Sequence, residues 1–169
     1  TTGTITKGTW TGGNGASASF PYIYGNTSSG VRITNGWNNG GNYTFFHVTR
    51  YTGGTRGRIW QGLSGNWLSG HWNSRRAVFY HEGWLNSGSQ GTLDNWVQCT
   101  DSRSLVRYNR GTQQWSSGGN YSPNGVAINN AGSGGCCNSN ERTDWACAEV
   151  ILYNRTLSTD EMLQVENYL

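Results

Sequence analysis

Short apolar runs recur along this 169-residue chain, separated roughly every 8–12 positions by clusters of Gly, Asn, Ser and Thr. The strongest run is Trp145 to Tyr153. By strict alternation Trp145, Cys147, Ile151 and Tyr153 share one face, and Ala146, Ala148, Val150 and Leu152 share the other; Glu149 is the polar exception. Apolar residues on both faces predict a central strand covered on both sides. Asn154-Arg155 ends it. Leu157-Ser158-Thr159-Asp160-Glu161 then reads as a capping box, with Ser158 as N-cap, Glu161 three positions on, and Leu157 and Met162 at the staple positions. A helix is predicted over Thr159–Tyr168, with Met162, Val165 and Leu169 on its buried side.

Upstream, strands are predicted at Ala16–Tyr24, Val31–Thr34, Tyr43–Tyr51, Gly57–Leu63, Trp67–Trp72, Arg76–Leu85 and Val126–Asn129. Asn95–Thr100 and Leu105–Asn109 read as a hairpin turning at Asp101-Ser102-Arg103. Residues 1–15 are polar and alternating around Trp10, an N-terminal strand or arm that pairs with its own sheet or with a neighbour's. No repeat or linker is visible, so residues 16–169 are assigned to a single domain. Many short strands closed by one helix predict an all-β fold, a two-sheet antiparallel β-sandwich with a short C-terminal helix.

The run from Ala148 to Glu161, A-E-V-I-L-Y-N-R-T-L-S-x-x-E, followed by V-E-N-Y-L at the C-terminal end, resembles the closing signature of laminin-G-like domains. These belong to the concanavalin A-like lectin/glucanase superfamily. F-F-H-V-T-R-Y, R-G-R-I-W, N-W-L-S-G-H-W and A-V-F-Y-H-E-G-W resemble a subgroup found in large surface and extracellular proteins, including algal and algal-virus ones. The likeness covers roughly residues 43–169. It implies a jelly-roll sandwich, with either glycan recognition or, in the glucanase members, hydrolysis.

Composition sharpens this. Gly (26 residues) and Asn (19) against 2 Pro suit many tight turns, and nine Trp with nine Tyr supply much of the hydrophobic mass. No apolar run of 18 residues exists, so no spanning helix is predicted. Thr1 in place of methionine, with no signal peptide, points to a processed or trimmed chain. The net charge is +3, and Lys7 is the sole lysine beside eleven scattered arginines. Scattered Arg argues against nucleic acid and for pairing with carboxylates or stacking on aromatics.

The four cysteines are Cys99, Cys136, Cys137 and Cys147. A bond between the adjacent pair would be strained, so Cys136 and Cys137 are each expected to join Cys99 or Cys147, which implies an oxidising compartment. Zinc is the rival; the lack of any C-x-x-C or sequence-near His argues against it. Asn26, Asn42, Asn120 and Asn154 head N-x-[ST] acceptors, and together with the disulfides they point to a secreted or surface-displayed glycoprotein.

Candidate chemistry is sparse. Glycoside hydrolysis needs two facing carboxylates; the glucanases of the resembled superfamily carry them as E-x-D-x-x-E or a close variant, and no such motif occurs here, where only Glu82 and Glu149 lie within predicted strands. No G-x-S-x-G, P-loop or dinucleotide motif is present, and His47, His71 and His81 each read as packing residues. No cofactor is predicted. Calcium remains open, its best fragment being Asn138 to Asp144. Sugar binding needs exposed aromatic faces beside planar polar groups. Trp67, His71, Trp72, Asn73 and Arg75, with Arg56, Arg58 and Trp84, offer that mixture; packing in the core is the competing role for Trp67 and Trp72.

The expectation is a non-catalytic extracellular recognition module, lectin-like, with glycans or glycoproteins as partners and neither nucleic acid nor membrane insertion. The alternative is a structural subunit of a filament, coat or appendage, a homo-oligomer assembled through the N-terminal strand. A hydrolase is the third reading.

Overall fold

The computed structural model describes residues 1–37, 41–103, 105–116, 119–129 and 141–169. Among these the chain forms β1 (Thr6–Trp10), β2 (Phe20–Gly25), β3 (Val31–Ile33), β4 (Thr44–Arg56), β5 (Trp60–Gly62), β6 (Trp67–Trp72) and β7 (Arg75–His81). It continues through β8 (Trp84–Asn86), β9 (Val97–Ser102), β10 (Val106–Tyr108), β11 (Gln113–Trp115), β12 (Val126–Ile128), β13 (Thr143–Tyr153) and α1 (Thr159–Tyr168). One sheet has the order β1-β2-β13-β4-β9-β10-β11 and the other β3-β12-β5-β6-β7-β8. The pairings are antiparallel throughout, so the all-β two-sheet sandwich with one C-terminal helix is the observed architecture.

β13 lies between β2 and β4, and its two apolar faces are covered by the inter-sheet core on one side and the helix cluster on the other. Strict alternation fails at one point. Cys147 faces Thr49 and Glu149 faces Val48, so Ala148 is an extra residue, a β-bulge. Beyond the bulge the parity reverses. Val150 and Leu152 join Trp145 and Cys147 on the inter-sheet core, while Ile151 and Tyr153 turn to the helix side.

The capping box forms as predicted. Ser158 Oγ accepts the Glu161 N–H at 3.3 Å, and the Ser158 N–H is donated to Glu161 Oε2 at 2.8 Å. Leu157 and Met162 are buried with Phe46 beneath the helix. The buried face differs from expectation at one position: Val165 and Leu169 are half-buried, and Glu166 is wholly buried. Its carboxylate accepts Arg107 Nε and Nη2, each at 2.8 Å, and Thr100 Oγ1 at 2.6 Å. A bidentate pair supplies the polar partners that so buried a charge needs.

Other boundaries shift for local reasons. The predicted Arg76–Leu85 strand is two strands, because Glu82 takes a left-handed φ of 56° in the turn between β7 and β8. The β9–β10 turn falls after Ser102, and Asp101 belongs to β9, paired with Phe45 and Val106. Gln113–Trp115 forms an additional edge strand outside the predicted runs. Of the two pairings open to residues 1–15, the one with its own sheet is present: β1 lines up along β2, and Thr2 bridges Gly30.

The inter-sheet core combines aromatic and polar layers. Tyr43, Phe45, Trp60, Trp67 and Trp145 form one aromatic cluster. Trp67 Nε1–H donates to Tyr43 Oη at 2.9 Å, Tyr43 donates to Asp101 Oδ1 at 2.9 Å, and His81 Nε2 lies 3.1 Å from Asp101 Oδ2. Beside it, His47 contacts Thr49 Oγ1 at 2.9 Å and Ser69 Oγ at 3.2 Å, and Thr49 Oγ1 also lies 3.5 Å from His71 Nδ1. Gly70, at φ 88°, makes room for this layer: a Cβ there would stand 2.5 Å from His47 Cε1.

Cys99 and Cys147 are free, buried thiols in different core clusters, Cys147 beside Trp145 and Cys99 beside Val97. The disulfides expected of these two are therefore not formed. Burial raises both thiols, Cys147 to about 12, which keeps them protonated and unreactive. Cys136 and Cys137 lie outside the described residues.

Candidate functional site

The predicted sugar-binding residues divide between core and surface. Trp67 and His71 are wholly buried and belong to the inter-sheet layers. Burial, and then the nearby His47 and Arg76 charges, hold His71 well below the ordinary imidazole value, so it is a neutral packing residue. Arg58 is also buried, with Nε 2.9 Å from Glu141 Oε2 and Nη1 donating to Asn66 Oδ1 at 2.8 Å. These three cannot meet a ligand. Trp72, Asn73, Arg75, Arg56 and Trp84 do reach the surface.

The β6–β7 hairpin sets their geometry. Asn73 and Ser74 both adopt left-handed φ, 47° and 59°, the signature of a two-residue type I′ turn. The Ser74 N–H donates to Arg56 O at 2.9 Å, which ties the hairpin tip to the end of β4. The Arg58 N–H donates to Glu141 O at 2.8 Å, and Gly57 leaves no space for a Cβ against that carbonyl. The three segments converge on a cleft of about 410 Å³. Arg56, Trp72, Asn73, Glu141 and Arg142 line it, together with Gly54 and Thr55.

Glu141 holds the site together. Its Oε1 accepts Trp72 Nε1–H at 2.8 Å while its Oε2 pairs with Arg58. Trp72 is thus fixed in orientation, half-exposed beside the cleft. Its ring centroid is 5.2 Å from that of Trp84, and Arg75 Cζ lies 5.5 Å from it. Trp84 in turn meets Tyr80 edge-on at 5.0 Å and keeps 39% of its surface exposed. Arg56 pairs with Asp94 at 2.9 Å at the cleft's other side. The Trp72 indole, the Arg56 and Arg142 guanidinium groups and the Asn73 amide meet at this polar cleft, with exposed Trp84 packed against Trp72, and such a surface is able to stack on a sugar face and hydrogen-bond its hydroxyls.

Glu141 is the residue that sequence reasoning missed; it appeared there only within the calcium fragment. Asn138–Asn140 of that fragment lie outside the described residues, and Asp144 Oδ2 accepts the Thr55 N–H at 3.0 Å. Among the described residues no group of three or more His, Cys, Asp or Glu is placed to hold a metal ion. Glu82 and Glu149 are not brought together. Glu82 sits in the β7–β8 turn, accepting the Asn66 N–H, whereas Glu149 lies on β13 in the other sheet, near Lys7 and Val31. The four acceptor residues Asn26, Asn42, Asn120 and Asn154 are all exposed, and Asn120 Oδ1 accepts Arg103 Nε–H at 2.8 Å. No family model and no curated protein matches the chain.

Proposed function

We propose that the chain is a non-catalytic, lectin-like recognition module that binds glycans or glycosylated surfaces through the Trp72–Trp84 patch and its cleft. The observation that carries this reading is the half-exposed Trp72 indole, locked by Glu141 beside a cleft lined by Arg56, Asn73 and Arg142. The arginines there favour glycans bearing carboxylate or sulfate groups. Membership of the laminin-G-like branch of the concanavalin A-like superfamily remains part of the proposal; it rests on the strand–turn–capped-helix run at the C-terminal end. An extracellular setting is supported by four exposed glycosylation acceptors. The free Cys99 and Cys147 lend it no support.

A glycan array that includes uronate and sulfated sugars tests the reading. Trp84→Ala and Trp72→Ala are expected to lower retention of any bound glycan about fivefold or more, taking one lost stacking contact at the roughly 1–3 kcal/mol of base–aromatic stacking. Retention of no glycan by the wild-type protein overturns it. A second reading, a subunit of an extracellular filament, is favoured by β1, a largely exposed edge strand paired on one side only. Light scattering with negative-stain imaging separates the two, since open polymers identify the subunit and discrete particles the module.

A further inference from the structure

Ile23 of β2 packs on the inter-sheet core, so its neighbours Tyr22 and Tyr24 stand on the outer face of the seven-stranded sheet. Tyr22 lies across Gly8 of β1, where a Cβ would come within 2.6 Å of its ring. Tyr24 leans on Tyr22, with ring centroids 5.6 Å apart at 33°, and keeps 36% of its surface exposed. Its ring is braced by one neighbour and otherwise open. Beside it lies a cleft of about 340 Å³, lined by Tyr24, Asn26, Thr4, Thr6, Thr52 and Asp144. At about 30 Å³ for a group the size of water, the cleft takes at most roughly 11 such groups, close to the bulk of one sugar ring with its substituents. Asp144 Oδ2 accepts the Thr55 N–H at 3.0 Å, and its Oδ1 meets no donor among the described residues.

Asn26 links this cleft to covalent chemistry. Its side-chain oxygen accepts the Ser28 N–H at 2.9 Å, which fixes the orientation of the amide. Its backbone carbonyl accepts the Ser29 N–H and Asn129 Nδ2, each at 2.9 Å. The residue is exposed, and its Nδ2 donates to nothing among the described residues. Asn26-Thr27-Ser28 is an N-x-S acceptor. Of the four acceptors it alone has an aromatic residue two positions before the Asn; Gly40, Gly118 and Leu152 stand there for Asn42, Asn120 and Asn154.

We propose that Asn26 carries an N-linked glycan and that this cleft seats its first sugar, an N-acetylglucosamine, with one sugar face stacked on Tyr24 and a hydroxyl or the acetamido N–H donating to Asp144. In the attachment, Asn26 Nδ2 bonds to the anomeric carbon of a lipid diphosphate-linked oligosaccharide. The carbon–oxygen bond to the diphosphate breaks, the lipid diphosphate leaves, and one Nδ2 proton passes to solvent. In the folded protein that nitrogen is exposed and uncommitted, so the sugar displaces no hydrogen bond. The occupant of the cleft is thus part of the chain itself. The proposal rests on the extracellular setting given above and not on the Trp72–Trp84 patch, so a glycan array that retains nothing leaves it untouched.

The test uses protein secreted from a eukaryotic host, with its glycans trimmed enzymatically to one N-acetylglucosamine. Mass spectrometry is expected to find that sugar on the peptide holding Asn26. Its ring protons are expected to lie upfield of those in free N-acetylglucosaminyl-asparagine, to stay there in Tyr24→Phe and to return in Tyr24→Ala. Ser28→Ala removes the acceptor hydroxyl, keeps the backbone bond to Asn26 and supplies the unglycosylated reference. Against it, the trimmed protein is expected to show an unfolding equilibrium constant about two- to tenfold smaller, on the scale of one ring-stacking contact, and Tyr24→Ala introduced into both is expected to remove the difference. An unmodified Asn26 overturns the attachment. Sugar protons at their free positions, no gain in stability, or a gain that survives Tyr24→Ala overturns the seat on Tyr24.

Discussion

A single carboxylate, Glu141, orients Trp72 and neutralises Arg58. Burial lowers the Arg58 guanidinium from its ordinary value, and the Glu141 charge opposes that shift. Glu141→Ala is expected to destabilise the fold by about 2–3 kcal/mol, because it leaves a buried cation without its counter-charge. Glycan retention should fall with it. Trp84→Ala removes an exposed ring and should change stability by less than about 1 kcal/mol. Paired urea titrations of the two variants check the contrast, and equal midpoints would remove Glu141 from its proposed role. The division between core and surface was partly legible here. In β6, Trp67 and His71 share one parity and Trp72 has the other, but Leu68, on the parity of Trp72, is buried as well, so alternation is only a partial guide to which residues reach the surface. Glu141 was not legible, since nothing in its neighbours announces a contact with Trp72, 69 positions away.

The helix and the strand before it show why local signals read well and register signals read poorly. The capping box and staple lie within a few residues of each other, and both appear in the sequence as they do in space. The Ala148 bulge has no local signature, because it exists only relative to β4. The burial of Glu166 is hidden for the same reason: its partners lie on β9 and β10. That pair fastens α1 to the sheet. Glu166→Gln is expected to cost about 3–5 kcal/mol by leaving Arg107 with an uncharged partner, and replacing both residues by Leu and Met should restore much of it. Chemical denaturation of the single and double variants measures this. A double variant no better than the single would show that the pair contributes more than mutual neutralisation.

For the molecule as a whole, the inter-sheet core is sensitive to acid. His47 on β4 and His71 on β6 meet between the sheets through Thr49, with Ser69, Cys99 and Arg76 as the polar and charged neighbours. Burial lowers His47 from 6.5 to about 3, and His71 lies well below 6.5 as well. The unfolded chain therefore binds protons that the folded chain refuses. The stability they confer is complete above pH 6.5 and is lost as the pH falls toward 3, by up to about 1.4 kcal/mol per pH unit for each histidine. Urea midpoints should drop steeply from pH 7 to pH 4, and His47→Gln should flatten that slope; a profile unchanged by the substitution would place the sensitivity elsewhere. The all-β class was readable from strand length and turn chemistry, which are local. The order of strands in the sheets was not, since it depends on partners far apart in sequence.

The central place of β13 governs how the protein is made. Gly25 pairs with Trp145, 120 positions later, and β4 finds its other neighbour only in the same strand. While the chain is still emerging from a ribosome, β2 and β4 wait with open edges and exposed Phe and Tyr side chains. The seven-stranded sheet closes only after β13 has been synthesised. Unpaired edges of this kind are prone to aggregation, and a stop codon placed before Thr143 leaves two half-sheets without the strand that joins them.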